Sequence, residues 1–305
     1  MLIRRSDPRR RGFTLVELLV AMTVAGIVLT LITLTGLRQQ RLLSDLSDDA
    51  SLAAQLREAA AILPVDIRAL SAAAGDLRDA RDTALELRST IASGVVCDTA
   101  QRSLVLPPAT DGADAYVSYM APIEPGDSAW LFTPTDSMDT WQAHAITSVG
   151  SAPPGQCATG GPRLADSVVR RSRVAIVLDS AASVVAAPGR PLRVTRPVRY
   201  SLYRSSDGSW NLGEREWNAA QLRFNGIQPV AGPLLPASAQ GLAFDYLDST
   251  RAPMPTPLAT PRAVAAITLT LRGETRNAVR ALGSGHTRNK RTDSISVSVL
   301  VHNRR

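Results

Sequence analysis

Between Phe13 and Leu37 the only charge is the carboxylate of Glu17, set in a run of apolar residues and scattered threonines. An acidic side chain near the centre of a bilayer costs about 2.5–3.5 kcal/mol, less toward the interface, so such a group needs a cation. Cleavage between Gly12 and Phe13 would create one, the α-amine of Phe13, at the same depth. The alternative is a carboxylate tolerated at the headgroup level. The other reactive side chains form weaker constellations. Cys97 and Cys157 are the only cysteines and lack Cys-x-x-Cys spacing, which argues against zinc. They leave two readings: a single disulfide in an oxidising compartment, or two buried thiols in a reducing one. His144, His286 and His302 stand in no metal-ligand spacing, and no Gly-x-Ser-x-Gly or phosphate-binding glycine loop occurs. Glu124, Asp127, Asp136 and Asp139 offer oxygens to a cation, but in a spacing that matches no binding loop, so the expectation is ordinary surface carboxylates. No catalytic residue, cofactor or metal site is predicted, and the chain reads as a non-enzyme.

The element that must carry Glu17 is a helix. At about 1.5 Å per residue, Phe13–Leu37 spans roughly 37 Å, enough for a hydrocarbon core of about 30 Å. Arg4, Arg5, Arg9, Arg10 and Arg11 precede it and hold that end in the cytoplasm, so the chain beyond residue 40 emerges on the far side. An ordinary secretory signal has a shorter apolar core and a small-residue cleavage site after it, and fits poorly. Set against Asp7, these arginines account for about four of the chain's +7 formal charge, which leaves a mildly basic body.

Past Arg38–Arg41, the residues Leu42, Leu46, Ala50, Ala53, Leu56, Ala60 and Leu63 recur at spacings of three and four. That is a one-faced helix, expected to pack its stripe on a following domain and to stop or kink near Pro64. From Phe13 to Leu63 it would run roughly 75 Å. A heptad coiled coil is the weaker alternative.

After residue 80 the texture changes to β-favouring runs: Thr83–Ile91, Gly94–Asp98, Ser103–Leu106, Ala115–Tyr119, Ala129–Phe132, His144–Val149, Val174–Leu178, Leu192–Tyr203, Leu242–Leu247, Val264–Leu271 and Ser294–His302. Asp207-Gly208 reads as the turn of a hairpin between Val198–Arg204 and Trp210–Leu212. Loops are expected at Ser151–Gly161, at proline-rich Arg251–Arg262, and at Asn277–Asp293, whose Arg280, Arg288, Lys290 and Arg291 have little acidic compensation. This last loop is either solvated or a contact for an anionic partner such as DNA. The fold class is α+β: a long N-terminal helix packed on a mainly antiparallel β head. The expected organisation is a leader at 1–12, a helix at 13–63 with 13–37 in the membrane, and a head at 64–305.

Gly12-Phe13-Thr14-Leu15-Val16-Glu17, after a basic leader and before an unbroken apolar helix, resembles the cleavage and methylation signal of type IV prepilins and type II secretion pseudopilins. The resemblance implies that a prepilin peptidase cuts after Gly12 and methylates the amine of Phe13, and that Glu17 pairs with the Phe13 amine of a neighbouring subunit. It also implies a single-pass inner-membrane protein with its head outside the cytoplasm, which assembles with other pilin subunits into a pilus or a periplasmic pseudopilus. The head size and the order of elements are similar to the large minor pilins of the PilW type and the J-type minor pseudopilins. Two further readings use the same anchor: a DNA- or surface-binding adhesin, and a tethered enzyme, for which no catalytic constellation is present.

Overall fold

A computed structural model of the chain describes residues 14–108, 117–133, 140–152, 173–180, 188–280 and 288–301. Helix α1 runs Leu15–Ala69, 55 residues, or about 82 Å. Gly26 and Gly36 are its only glycines, and both have open space around them. Beyond it lie β1 (Leu77–Ala80), β2 (Ala84–Val95), β3 (Asp98–Ala100), β4 (Ser103–Leu106), β5 (Val117–Tyr119), β6 (Ser128–Thr133), β7 (Thr140–Ala152), β8 (Arg173–Leu178) and β9 (Pro191–Arg204). Next come β10 (Trp210–Asn218), β11 (Arg223–Phe224), β12 (Gln228–Leu234), β13 (Leu242–Leu247), β14 (Pro253–Met254), β15 (Ala266–Glu274), β16 (Val279–Arg280), β17 (Arg288–Asn289) and β18 (Thr292–Leu300). Among the described residues every strand pairing is antiparallel. The architecture is α+β and pilin-like, as the sequence predicts.

The chain divides into two compact units. The larger comprises Leu52–Glu274 and the segment from Thr292 onward. In it the later part of α1 buries Leu52, Leu56, Ala59, Leu63 and Ile67 against Leu85, Leu87, Val198, Tyr200, Phe244 and Leu271. Gly273 permits this approach, since a Cβ there would lie 2.7 Å from Leu52 Cδ1 and 2.9 Å from the Pro233 carbonyl. A second cluster gathers Ile91, Ala92, Leu104, Leu131, Ile146, Ile176, Leu192 and Val194. β9 feeds both clusters. Its partner β2 does the same through a register shift between Thr90 and Ala92, which leaves Ile91 and Ala92 both buried.

Three expectations are corrected. Of the stop or kink expected near Pro64, the stop does not occur, because the helix continues to Ala69. An interior proline costs about 3 kcal/mol, whereas fully burying a Leu or Ile contributes about 1.5–3 kcal/mol, and Leu63 and Ile67, both completely buried, outweigh it. The buried stripe starts at Leu52, whereas Leu42 and Leu46 are exposed. In the proline-rich stretch, Pro253 and Met254 do pair, opposite Leu247 and Tyr246. β14 ends the sheet order, and at an edge a missing N–H need not break the ladder.

The Asp207-Gly208 hairpin forms as expected, joining β9 to β10 with Arg204 opposite Trp210 and Gly208 at φ +86°. β12 has no counterpart among the strands expected from sequence, because Pro229, Gly232 and Pro233 suppress its signal.

The smaller unit comprises the chain up to Ser51 together with Thr275–Arg291. β16 pairs with β17, Asn277 Nδ2 donates to Asp48 Oδ2 at 3.0 Å, and Arg291 Nη1 meets Asp49 Oδ2 at 2.6 Å. The expected loop thus contains a short hairpin, and Arg291 finds its acidic compensation on α1.

Candidate functional site: the helix N-terminus

α1 opens on a reciprocal cap. Thr14 N–H and Oγ1–H each donate to Glu17 Oε2 at 3.2 Å, and Glu17 N–H donates to Thr14 Oγ1 at 3.2 Å. This is the Thr-x-x-Glu capping box, which satisfies backbone donors that a helix start otherwise leaves bare. Among the described residues Glu17 Oε1 accepts no bond, so the carboxylate can cap its own helix and still receive an amine. The spacing was legible in the sequence. Reading Glu17 only as a charge in lipid passes over Thr14.

The helix behind it presents apolar side chains on all sides: Leu15 is 81% exposed, Met22 70% and Ile32 64%. A helix apolar all round requires lipid or protein around it. Its threonines do not oppose this, because Thr23, Thr30, Thr33 and Thr35 each donate the hydroxyl to a carbonyl one turn back, at 2.8 Å. α1 is the one helix among the described residues long and apolar enough to cross a membrane.

The remaining residues singled out from sequence are not gathered into a site. Gly12, Phe13, Cys157, Asp136, Asp139, His286 and His302 lie outside the described residues. Cys97 is completely buried beside Val105 and Ala152. Asp127, expected at the surface, is instead buried, its two oxygens taking Arg196 Nε at 2.8 Å and Nη2 at 2.9 Å. That hydrogen-bonded pairing raises the Arg196 pKa against the opposing effect of burial. Glu124 stays exposed, 3.4 Å from the same guanidinium. His144 Nδ1 meets Ser180 Oγ at 2.9 Å and Asp179 Oδ1 at 3.9 Å. Among the described residues no group of three His, Cys, Asp or Glu is placed to hold a metal.

Buried ion pairs instead fasten the head. Asp76, fully buried, accepts from Arg193 Nη1 at 2.7 Å, from Arg193 Nη2 at 3.0 Å and from Ser71 N–H at 2.8 Å. The Arg193 guanidinium also lies 5.0 Å from the Trp130 ring and 5.5 Å from the Trp141 ring. Near the end of α1, Asp66 accepts from Tyr200 Oη–H at 2.6 Å and Ser89 Oγ–H at 2.7 Å. Burial first, and then the Asp66 charge, raise the Tyr200 pKa, so the phenol stays a donor.

Residues 7–33 match the family model of the prokaryotic N-terminal methylation motif. No curated protein and no solved structure matches the chain. The match spans Glu17, its capping partner Thr14 and the exposed apolar helix behind them. The chain therefore carries a prepilin-type signal of the type IV pilin-like kind, joined to an α+β, pilin-like fold.

Proposed function

We propose that this chain is a minor pilin or minor pseudopilin, made as a precursor, cut after Gly12 by a prepilin peptidase and N-methylated at Phe13. The single observation that carries the reading is the methylation motif matched at residues 7–33, which runs into a continuous helix from Leu15 whose only charge before Arg38 is Glu17. After cleavage the leader 1–12 is gone, residues 13–37 lie in the inner membrane, and the head from residue 64 stands outside the cytoplasm. On assembly the Phe13 amine of one subunit meets Glu17 of the next, through the oxygen the capping box leaves open. The minor role is supported by the large head, and Cys97 with Cys157 would be bonded in that compartment.

The test is N-terminal sequencing of the protein recovered from membranes and from sheared filaments, alongside Gly12→Val. The wild-type chain should begin at N-methylated Phe13, and the variant should stay uncut. A wild-type N-terminus at any other residue would overturn the reading.

A further inference from the structure

An asparagine followed by glycine carries a reaction within itself. The side-chain Cγ of the asparagine can be reached by the next backbone nitrogen, and glycine has no Cβ to hinder the approach or the backbone rotation it needs. Of the six asparagines in the chain, Asn225 alone is followed by glycine. Asn225 and Gly226 connect β11 to β12, and both are exposed.

The connection leaves the reacting atoms free and fixes the frame around them. Gly226 N–H, which carries the nucleophile, and Asn225 Nδ2, the leaving group, have no hydrogen-bond partner among the described residues. A Cβ built on Gly226 would meet nothing within 4 Å. Asn225 N–H, by contrast, donates to the Glu216 carbonyl at 2.8 Å, and Asn218 Nδ2 donates to Asn225 Oδ1 at 3.2 Å. Oδ1 is where negative charge develops when Cγ is attacked, and a donor already aimed at it serves as an oxyanion hole does. The Asp207-Gly208 turn offers the contrast. There Gly208 N–H donates to the Ser205 carbonyl at 3.0 Å, and Asp207 Oδ1 accepts from Ser209 N–H at 2.9 Å.

We propose that Asn225 is a self-modification site, which deamidates in the folded protein. The Gly226 nitrogen loses its proton to solvent base and bonds to Asn225 Cγ. The Cγ–Nδ2 bond breaks, Nδ2 takes a proton from solvent and leaves as ammonia, and a five-membered succinimide closes. Water then adds to either ring carbonyl and opens it to aspartate or isoaspartate. One water enters, one ammonia departs, and nothing is oxidised or reduced. Isoaspartate puts an extra methylene into the backbone just before Ile227. That side chain packs over Gly213, where a Cβ would lie 2.5 Å from Ile227 Cγ1 and 2.7 Å from Tyr203 Cδ1. The modification therefore adds a charge at the surface and shifts the residue that seats β12 on β10. The inference stands apart from the filament-subunit reading.

The full-length chain, purified in detergent and held in mildly alkaline buffer, should convert Asn225 to aspartate and isoaspartate. Peptide mapping by mass spectrometry and isoaspartyl methyltransferase labelling read the two products. Conversion should be at least as fast as in a synthetic peptide spanning 221–229. Gly226→Ala, which has room for its methyl group and no positive φ to strain it, should lose the conversion. Asn218→Asp keeps the oxygen that accepts Gln221 N–H at 3.0 Å but removes the donor to Asn225. It should slow the reaction by about fivefold, equivalent to about 1 kcal/mol at roughly 1.36 kcal/mol per tenfold. Asp207 and the other asparagines should stay unchanged. A folded chain that keeps Asn225 intact while the peptide converts would overturn the proposal, as would equal conversion at Asn211 or Asn277. An unchanged rate in Asn218→Asp would overturn the role given to that side chain.

Discussion

Glu17→Gln separates the capping of Thr14 that the structure shows from the amine pairing proposed for this side chain. The wild-type carboxylate uses Oε2 to cap Thr14 N–H and Oγ1–H and leaves Oε1 open. Glutamine at the third helical position still closes a capping box but carries no charge, whereas valine can do neither. Losing the cap costs about 1 kcal/mol. An amine left unpaired in an apolar filament core costs about 3–5 kcal/mol, as when one partner of a buried ion pair is removed. The second figure dominates, so Gln and Val should both be depleted from sheared filaments by about a hundredfold or more, at 1.4 kcal/mol per tenfold. Valine should be the worse of the two. Membrane insertion should not fall in either, because neutralising the side chain removes a lipid cost of up to about 3 kcal/mol. The assay is immunoblotting of cleaved protein in membrane and sheared fractions, with Leu19→Val as the control. Glutamine in filaments at the wild-type level, with valine excluded, would show that Glu17 acts as a cap alone, and the intersubunit pairing would have to be abandoned.

Three further outcomes are expected. Asp76→Ala should destabilise the head by about 3–5 kcal/mol by stranding the buried Arg193 charge, lowering its unfolding midpoint by roughly 6–20 °C at about 2–4 °C per kcal/mol; a shift under a few degrees would mean that Trp130 and Trp141 alone sustain the guanidinium. If Cys97 and Cys157 are bonded, alkylation of the unreduced, denatured protein should add no mass and reduction should expose two thiols, with a loop of about 60 residues contributing roughly 4 kcal/mol; free thiols in exported protein would refute the bridge. Glu214, half-buried beside Asp66 and Glu216, has its pKa raised, first by burial and then by those charges. A raised carboxyl favours the fold at acid pH and loses that contribution as pH climbs through its folded value. Glu214→Gln should therefore stabilise the protein at neutral pH and change little below about pH 4; an equal effect at both pH values, read by thermal unfolding, would assign the gain to packing.

The sequence alone carried whatever depends on neighbours along the chain. The leader arginines, the Gly12-Phe13 junction and Glu17 lie within one short segment, and their meaning comes from residue type and spacing. The same holds for the Thr14–Glu17 box, for the Asp207-Gly208 turn, whose glycine is needed at positive φ, and for the alternation in Ile267–Leu271 and Ile295–Val299. Tertiary structure decided what depends on distant partners. Pro64 stays helical because Leu63 and Ile67 bury against strands far along the chain. The helix stripe engages only from Leu52, where Gly273 leaves room for it. Asp127 is no surface carboxylate because Arg196, from β9, comes to it, and Asp76 likewise depends on Arg193. β12 forms against its own prolines because the flanking strands supply its pairing. Local spacing can state what a residue is able to do, but a charge or a proline in the interior is settled by which remote side chain arrives to compensate it.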